Sequence, residues 1–261
     1  MADVLVLRTC RQDMSAYGGF KWPTEGPVEA PDWIANDQCG NGLHGALWGE
    51  GDGGIFNWDP DAKWLVVSAD EKTIVDLKGK VKFPRGTVVY CGDQRGATEY
   101  LKAHGGAGRA IIGATAVAGH YGTATAGDGG TATAGYRGTA AAGDHGTATV
   151  GKYGTAVAGY CSKATAGDYG KATAGACGKA TAGNQGKATA GACGTATAGD
   201  HGTATASEYG TATAGHSGEL RLRWWDGKRL RTQVAYVGEN GILPNVPYTL
   251  NSRGEFVRVE V

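Results

Sequence analysis

The 261-residue chain has no excess of either charge: 25 Lys and Arg stand against 25 Asp and Glu. That balance excludes a nucleic-acid binder driven by phosphate neutralisation, and equally an acidic mimic of DNA. No apolar run approaches the roughly 20 residues needed to cross a bilayer, so no membrane partner is expected. The opening stretch from Met1 to Arg8 lacks a basic start followed by a long apolar segment. It predicts a first strand rather than a secretory signal, in a cytoplasmic protein whose six cysteines stay reduced. Large apolar side chains are missing from one long tract. All seven tryptophans (Trp22, Trp33, Trp48, Trp58, Trp64, Trp224 and Trp225) lie outside residues 114–217.

What fills that tract is glycine, alanine and threonine. Thirteen units of the form Gly-Thr-Ala-Thr-Ala-Gly-x-x run without a gap from Ala114 to Ser217. Glycine-rich sequences of low complexity are often disordered, but strict alternation at a fixed short period favours ordered, stacked strands. Counting from the first Gly of each unit, position 3 is always Ala, and position 5 is Ala except at Val150. Position 2 is Thr in most units but Lys in four consecutive ones, at Lys163, Lys171, Lys179 and Lys187. A lysine cannot point into a narrow core, so positions 2 and 4 face outward and positions 1, 3 and 5 inward.

One octapeptide is too short to close a coil, whereas two make a flat coil of two strands and two turns. Cys161, Cys177 and Cys193 recur every sixteen residues and would stack in one column. Inward methyls contribute about 0.8 kcal/mol each, while ordering the backbone costs at least ~1 kcal/mol per residue. The backbone ladder must therefore carry much of the rod, and its open ends need covering. The fold class expected is mostly β: a two-sided β-solenoid of sixteen-residue coils at 114–217. An N-terminal α+β cap at 1–113 and a C-terminal β-hairpin cap at 218–261 flank it.

In the first flank, strands are expected at Val4–Leu7, Trp64–Val67, Thr73–Leu77 and Thr87–Tyr90, with a short helix over Gly96–His104. In the second, Leu220–Trp224 and Gln233–Val237 alternate apolar and polar residues around Asp226-Gly227, a hairpin pattern. Short strands near Tyr248–Leu250 and Phe256–Val259 end the chain.

The repeats, with Gly-Thr-Ala-Thr-Ala-Gly and turn tyrosines at Tyr121, Tyr153, Tyr169 and Tyr209, resemble those of the bacterial ice-nucleation proteins. The wider layout is similar to that of uncharacterised bacterial and phage octapeptide-repeat proteins. The first resemblance implies a β-solenoid and a surface that meets ice or water; the second implies architecture alone.

Several groups of residues are candidates for function. Threonine pairs (Thr123/Thr125, Thr131/Thr133, Thr147/Thr149, Thr195/Thr197, Thr203/Thr205 and Thr211/Thr213) form a surface array. Spaced ~4.8 Å apart along the rod, they would approximate an ice lattice, or they are simply good exposed strand residues. The four lysines, with Val117, Ala141 and Val157, interrupt that array. The Cys161, Cys177 and Cys193 column is spaced for disulfides, but its odd number favours free thiols. Tyr121, Tyr153 and Tyr169 mark an edge for a homodimer.

In the N-terminal flank, Cys10, Cys39, His44 and Cys91 offer a zinc set, but the Cys39–His44 spacing alone is a weak signal and no second close pair accompanies it. Arg8 with His44 in a glycine-rich loop is loosely similar to ADP-ribosyltransferase openings, though no catalytic Glu is apparent. A structural loop packed under Trp48 is the simpler account. The favoured reading is a non-enzymatic solenoid, without cofactor, presenting a rigid Thr-rich surface for assembly or partner binding. The alternatives are an ice- or water-binding protein, and an enzyme or zinc site in the N-terminal domain.

Overall fold

The computed structural model describes residues 3–259, which form two compact units. The first comprises the residues up to Thr115 with Ala126–Asp128; the second comprises Ala116–Thr125 and everything from Gly129 onward.

The first unit is built on a seven-stranded antiparallel sheet. Its strands are β1 (Asp3–Cys10), β2 (Gly26–Glu29), β3 (Leu43–Leu47), β4 (Lys63–Asp70), β5 (Val75–Asp76), β6 (Val81–Phe83) and β7 (Arg85–Gly92), in the order β2-β7-β4-β1-β3-β6-β5. The central strands β1 and β4 are apolar without alternation because both faces of the sheet are covered. Leu5, Leu7, Trp64 and Val66 pack with Ala97 and Leu101 of the helix α1 (Gln94–Leu101), and with Ile111 and Ile112. Val6, Leu65 and Val67 pack on the other side with Trp22, Leu43, Phe83 and Val88.

Three local expectations change. The helix starts earlier than Gly96, because the Asp93 side chain accepts the Gly96 amide at 2.7 Å and caps the first turn. The run Thr73–Leu77 is not one strand. The Asp70 carboxylate accepts the Lys72 amide and closes a 3-10 turn over Glu71–Thr73, leaving only Val75–Asp76 extended. His44 lies on β3, paired with Lys82 of β6, and not in a loop.

Thirteen four-residue strands, β8 (Thr115–Ala118) to β20 (Thr211–Ala214), start at eight-residue intervals and, but for Thr115 and Ala126, belong to the second unit. Even-numbered strands form one sheet and odd-numbered strands the other. Within each sheet neighbours are parallel and in register sixteen residues apart, as in Thr131↔Thr147, Thr139↔Thr155 and Lys163↔Lys179. The sixteen-residue coil holds. Positions 3 and 5 are buried through the coils, as at Ala164, Ala166, Ala180 and Ala182, while positions 2 and 4 face out. The interior is one methyl thick.

The turns are also laddered. The position 8 amide donates to the next coil, as from Tyr153 to the Asp168 carbonyl at 2.9 Å. Position 7 side chains add a parallel series. Asp168 Oδ1 accepts the Asn184 amide at 3.0 Å, Asn184 Oδ1 accepts that of Asp200 at 3.0 Å, and Asp200 Oδ1 accepts that of His216 at 2.8 Å. Every non-glycine residue at position 8 is left-handed, with φ from 48° at Cys161 to 59° at Tyr153. The following amide returns to position 6, as from Gly186 to the Gly183 carbonyl at 3.1 Å, which makes a tight turn with positive φ at its third residue. Position 1 must then be small. A Cβ on Gly186 would meet Ala182 Cβ and the Gly183 carbonyl oxygen at 2.8 Å each.

At the C-terminal end, β21 (Glu219–Trp225) continues the odd sheet, pairing Ala204↔Leu220 and Ala206↔Leu222. Leu220 and Leu222 are fully buried in place of alanines, so the methyl core ends on larger side chains. β22 (Leu230–Tyr236) completes the hairpin with β21. β23 (Tyr248–Leu250) meets β20 antiparallel and pairs with β24 (Phe256–Arg258), so both sheets end in antiparallel strands rather than open parallel edges.

The left-handed turn residue gives a stability test. Gln185, with φ of 55°, replaced by the β-branched Val should lose about 1–2 kcal/mol, whereas Gln185→Gly should change little. The comparison is of urea midpoints followed by circular dichroism. Equal midpoints for the two variants would contradict the left-handed turn.

Candidate functional site

Register sorts the outward residues of the solenoid onto two unequal faces. On the even-numbered strands, position 4 carries Thr133, Thr149, Thr165, Thr181, Thr197 and Thr213 in unbroken succession. Val117 lies at the end of this row, on β8. The adjacent position 2 row carries Thr131 and Thr147, then Lys163 and Lys179, then Thr195 and Thr211. On the odd-numbered strands, Ala141 and Val157 are direct neighbours and leave a gap between Thr125 and Thr173 in position 4. Thr203 and Thr205 lie beyond Lys187, and the next rung replaces them with Glu219 and Arg221. The even face is therefore the more continuous hydroxyl surface. One of its hydroxyls is withdrawn: Thr165 Oγ1 is covered and has no hydrogen-bond partner.

The lysines form a belt at mid-rod. Lys163 neighbours Lys179 on one face, and Lys171 neighbours Lys187 on the other. Adjacent like charges in register are unfavourable, so the belt costs stability relative to threonine.

One turn edge is aromatic. Tyr121 meets Tyr136 edge-on at 5.8 Å, Tyr136 meets Tyr153 edge-on at 5.6 Å, and Tyr153 stacks on Tyr169 at 4.8 Å with rings 8° from parallel. Gln185 Nε2 donates to the Tyr169 hydroxyl at 3.2 Å. Tyr121, Tyr153 and Tyr169 stay exposed. Tyr136 at position 7 was not anticipated in this series; it joins because positions 7 and 8 of successive coils alternate across the same turn. Along the opposite turn edge run Cys161, Cys177 and Cys193, all free thiols. Burial, then the thiols on either side, raise the pKa of Cys177.

The four N-terminal candidates do not converge. Cys10 and Cys91 both contact Met14 Sδ, at 4.0 and 3.9 Å. Cys39 Sγ instead lies 2.9 Å from Lys80 Nζ. That contact, the largest influence on the thiol, holds the Cys39 pKa below the ordinary value. His44 Nε2 is covered without a partner, and burial lowers the imidazole pKa, assisted by Lys80 and Arg8. Among the described residues, no group of three or more His, Cys, Asp or Glu is arranged to hold a metal ion.

Sequence pattern gave no warning of Lys82, which is fully buried on β6. Its ammonium donates to Asn36 Oδ1 at 2.6 Å and to the Gln38 carbonyl at 2.8 Å, tying the 36–40 segment to the sheet. Among the described residues no helix is long and apolar enough to cross a membrane.

Residues 4–103 match a family described as a domain of unknown function (DUF7666). The chain is also similar to curated ice nucleation proteins. It is 40% identical over 103 residues to one from Xanthomonas campestris pv. translucens, covering 39% of this chain and 7% of that protein. It is 38% identical over 103 residues to InaU of Pantoea ananas, covering 39% and 10%. It is 40% identical over 101 residues to one from Pseudomonas syringae, covering 38% and 9%. The chain thus spans a tenth or less of the length of these relatives. No solved structure matches it.

The Lys80 contact sets a pH dependence. A thiol whose pKa is depressed is thiolate at lower pH, so Cys39 should be alkylated by iodoacetamide at lower pH than Cys177, whose pKa is raised. Lys80→Met should move the Cys39 pH–rate profile to higher pH and leave that of Cys177 in place. Peptide mapping of the alkylated sites checks both. A Cys39 profile unaltered by Lys80→Met would refute the assignment.

Proposed function

We propose that the solenoid binds ice or ice-like water through the threonine face of its even-numbered strands. The carrying observation is the position 4 row of six threonines from Thr133 to Thr213, of which only the Thr165 hydroxyl is withdrawn, flanked at both ends of the lysine belt by position 2 threonines. Along the rod, hydroxyls recur at ~4.8 Å, and across a strand at ~6.6 Å. This grid approximately matches an ice lattice. Each hydroxyl stands on a strand laddered to both neighbours, so little conformational freedom remains to be lost when water orders against it. The likeness to ice nucleation proteins, over a length close to that of the repeat tract, supports the same reading.

Size limits the activity. Six strands at ~4.8 Å span about 24 Å. A template this short favours attachment to existing ice over efficient nucleation. The assembly reading keeps one specific support, the exposed tyrosine edge. Pairing two copies along Tyr121, Tyr153 and Tyr169 would bury rings that one copy leaves in solvent, and would enlarge the template.

Two outcomes check this. Thr131→Lys with Thr147→Lys inserts mobile, hydrated charges at positions where the fold already accepts lysine. It should abolish ice shaping and recrystallisation inhibition, with a modest loss of thermal stability because the new charges join the Lys163–Lys179 row in register. The matched pair Thr139→Lys with Thr155→Lys, on the face already broken by Ala141 and Val157, should leave most activity. An inactive wild type, or equal loss from both pairs, would reject the even face as the ice-binding surface. Separately, light scattering at micromolar concentration should report a dimer that Tyr153→Ala shifts to monomer; a monomeric wild type would remove the assembly reading.

A further inference from the structure

The first unit contains a cleft of about 790 Å³ that the threonine faces do not use. Its lining runs from Arg8 to Lys80, inside the stretch matched by the domain family. Arg8 of β1 is the cation around which it is built. The guanidinium lies 4.2 Å over the Trp22 ring and donates to backbone carbonyls alone: Nη1 to His44 at 3.2 Å, Nε and Nη2 to Thr9 at 3.3 Å each. A guanidinium has five N–H donors, so one remains on each terminal nitrogen, the pair that grips a carboxylate or phosphate by two points. The ion pairs formed among the described residues all lie elsewhere. Burial holds the Arg8 pKa down at about 10.

The rest of the lining does not supply that charge. Asp32 is the one carboxylate there, and it accepts from Asn41 Nδ2 at 3.2 Å and from the Gly42 amide at 3.1 Å within its own loop. Lys80 adds a second cation on the Cys39 side. His44 is neutral at pH 7, because burial and these cations lower its pKa. The lining includes aromatic side chains: Phe20 meets Trp22 edge-on at 5.5 Å, and Phe56 also lines the cleft. Apolar walls strengthen any charge pairing made between them, and a buried cation without a counter-charge is costly.

We propose that this cleft binds a small organic anion with a flat apolar body, its carboxylate or phosphate paired with Arg8 and its body held against Phe20, Trp22 and Phe56. The site is independent of the ice-binding face. Both anion chemistries suit the two-point fork, whereas neutral aromatics gain only the walls.

The test titrates the full chain with 1-naphthyl phosphate, 1-naphthoate and neutral 1-naphthol by calorimetry at low salt. One or both anions should bind saturably at a single site, and whichever binds more tightly identifies the anion. Naphthol should bind about tenfold more weakly or worse, the loss of one charge-assisted contact. Arg8→Gln should weaken the anion by a similar factor, with Arg8→Lys between, while Lys163→Gln on the solenoid should change nothing. Bound anion should also slow alkylation of Cys39 in the wild type, a readout that needs no variant should Arg8→Gln fail to fold. The proposal is overturned if neither anion binds, if naphthol binds as well as the anions, or if folded Arg8→Gln binds like the wild type.

Discussion

The solenoid depends on one constraint: each residue must lie in register beneath the residue sixteen positions ahead. With Ala as its interior, the rod has too little apolar surface to fold as a globule does. The parallel ladder, extended through the turns by position 8 amides and position 7 carboxylates and amides, supplies the continuity that a core would otherwise give. Like solenoids in general, the structure is quasi-one-dimensional: each coil contacts only its neighbours, so its ends matter more than its middle. Leu220 and Leu222, in place of alanine, and the antiparallel strands beyond them meet that requirement at the C-terminal end.

The same constraint fixes the surface. Because positions 1, 3 and 5 are tied to the thin interior, positions 2 and 4 vary freely and positions 7 and 8 vary within the limits the turn sets, and each becomes a column sixteen residues in period. Threonine, lysine, tyrosine and cysteine therefore occur as rows rather than as scattered residues. Chemistry repeated at fixed spacing on a rigid support is what distinguishes this surface from an ordinary soluble one. It also concentrates cost, since a lysine in one coil faces a lysine in the next.

The N-terminal unit follows different physics. Its sheet is covered on both faces by large side chains, and its cleft is made from residues far apart in sequence: Arg8 over Trp22, Cys39 beside Lys80, Lys82 beneath the 36–40 segment. One chain thus joins a surface defined by period to a pocket defined by packing.

The amino-acid sequence by itself determined the coil. On the strands, lysine falls only at position 2, and cysteine recurs every sixteen residues at one turn, which indicates the outward faces and the coil length, because side-chain size keeps lysine out of so thin a core. The C-terminal hairpin and the main strands β1, β4 and β7 were legible for the same local reason, alternation or an apolar run between turn residues. Other features were not. Tyr, Arg, Gln and Cys carry no strong local preference for positive φ, so the left-handed position 8 emerges only when the turn must close within one coil height. His44 looked like part of a glycine-rich loop because β3 gains its strand character from pairing with β1 and β6 rather than from its own residues. The separation of the cysteines, the burial of Lys82 and the unpaired fork of Arg8 were likewise decided by tertiary structure alone, since each depends on which distant segments the antiparallel sheet brings together.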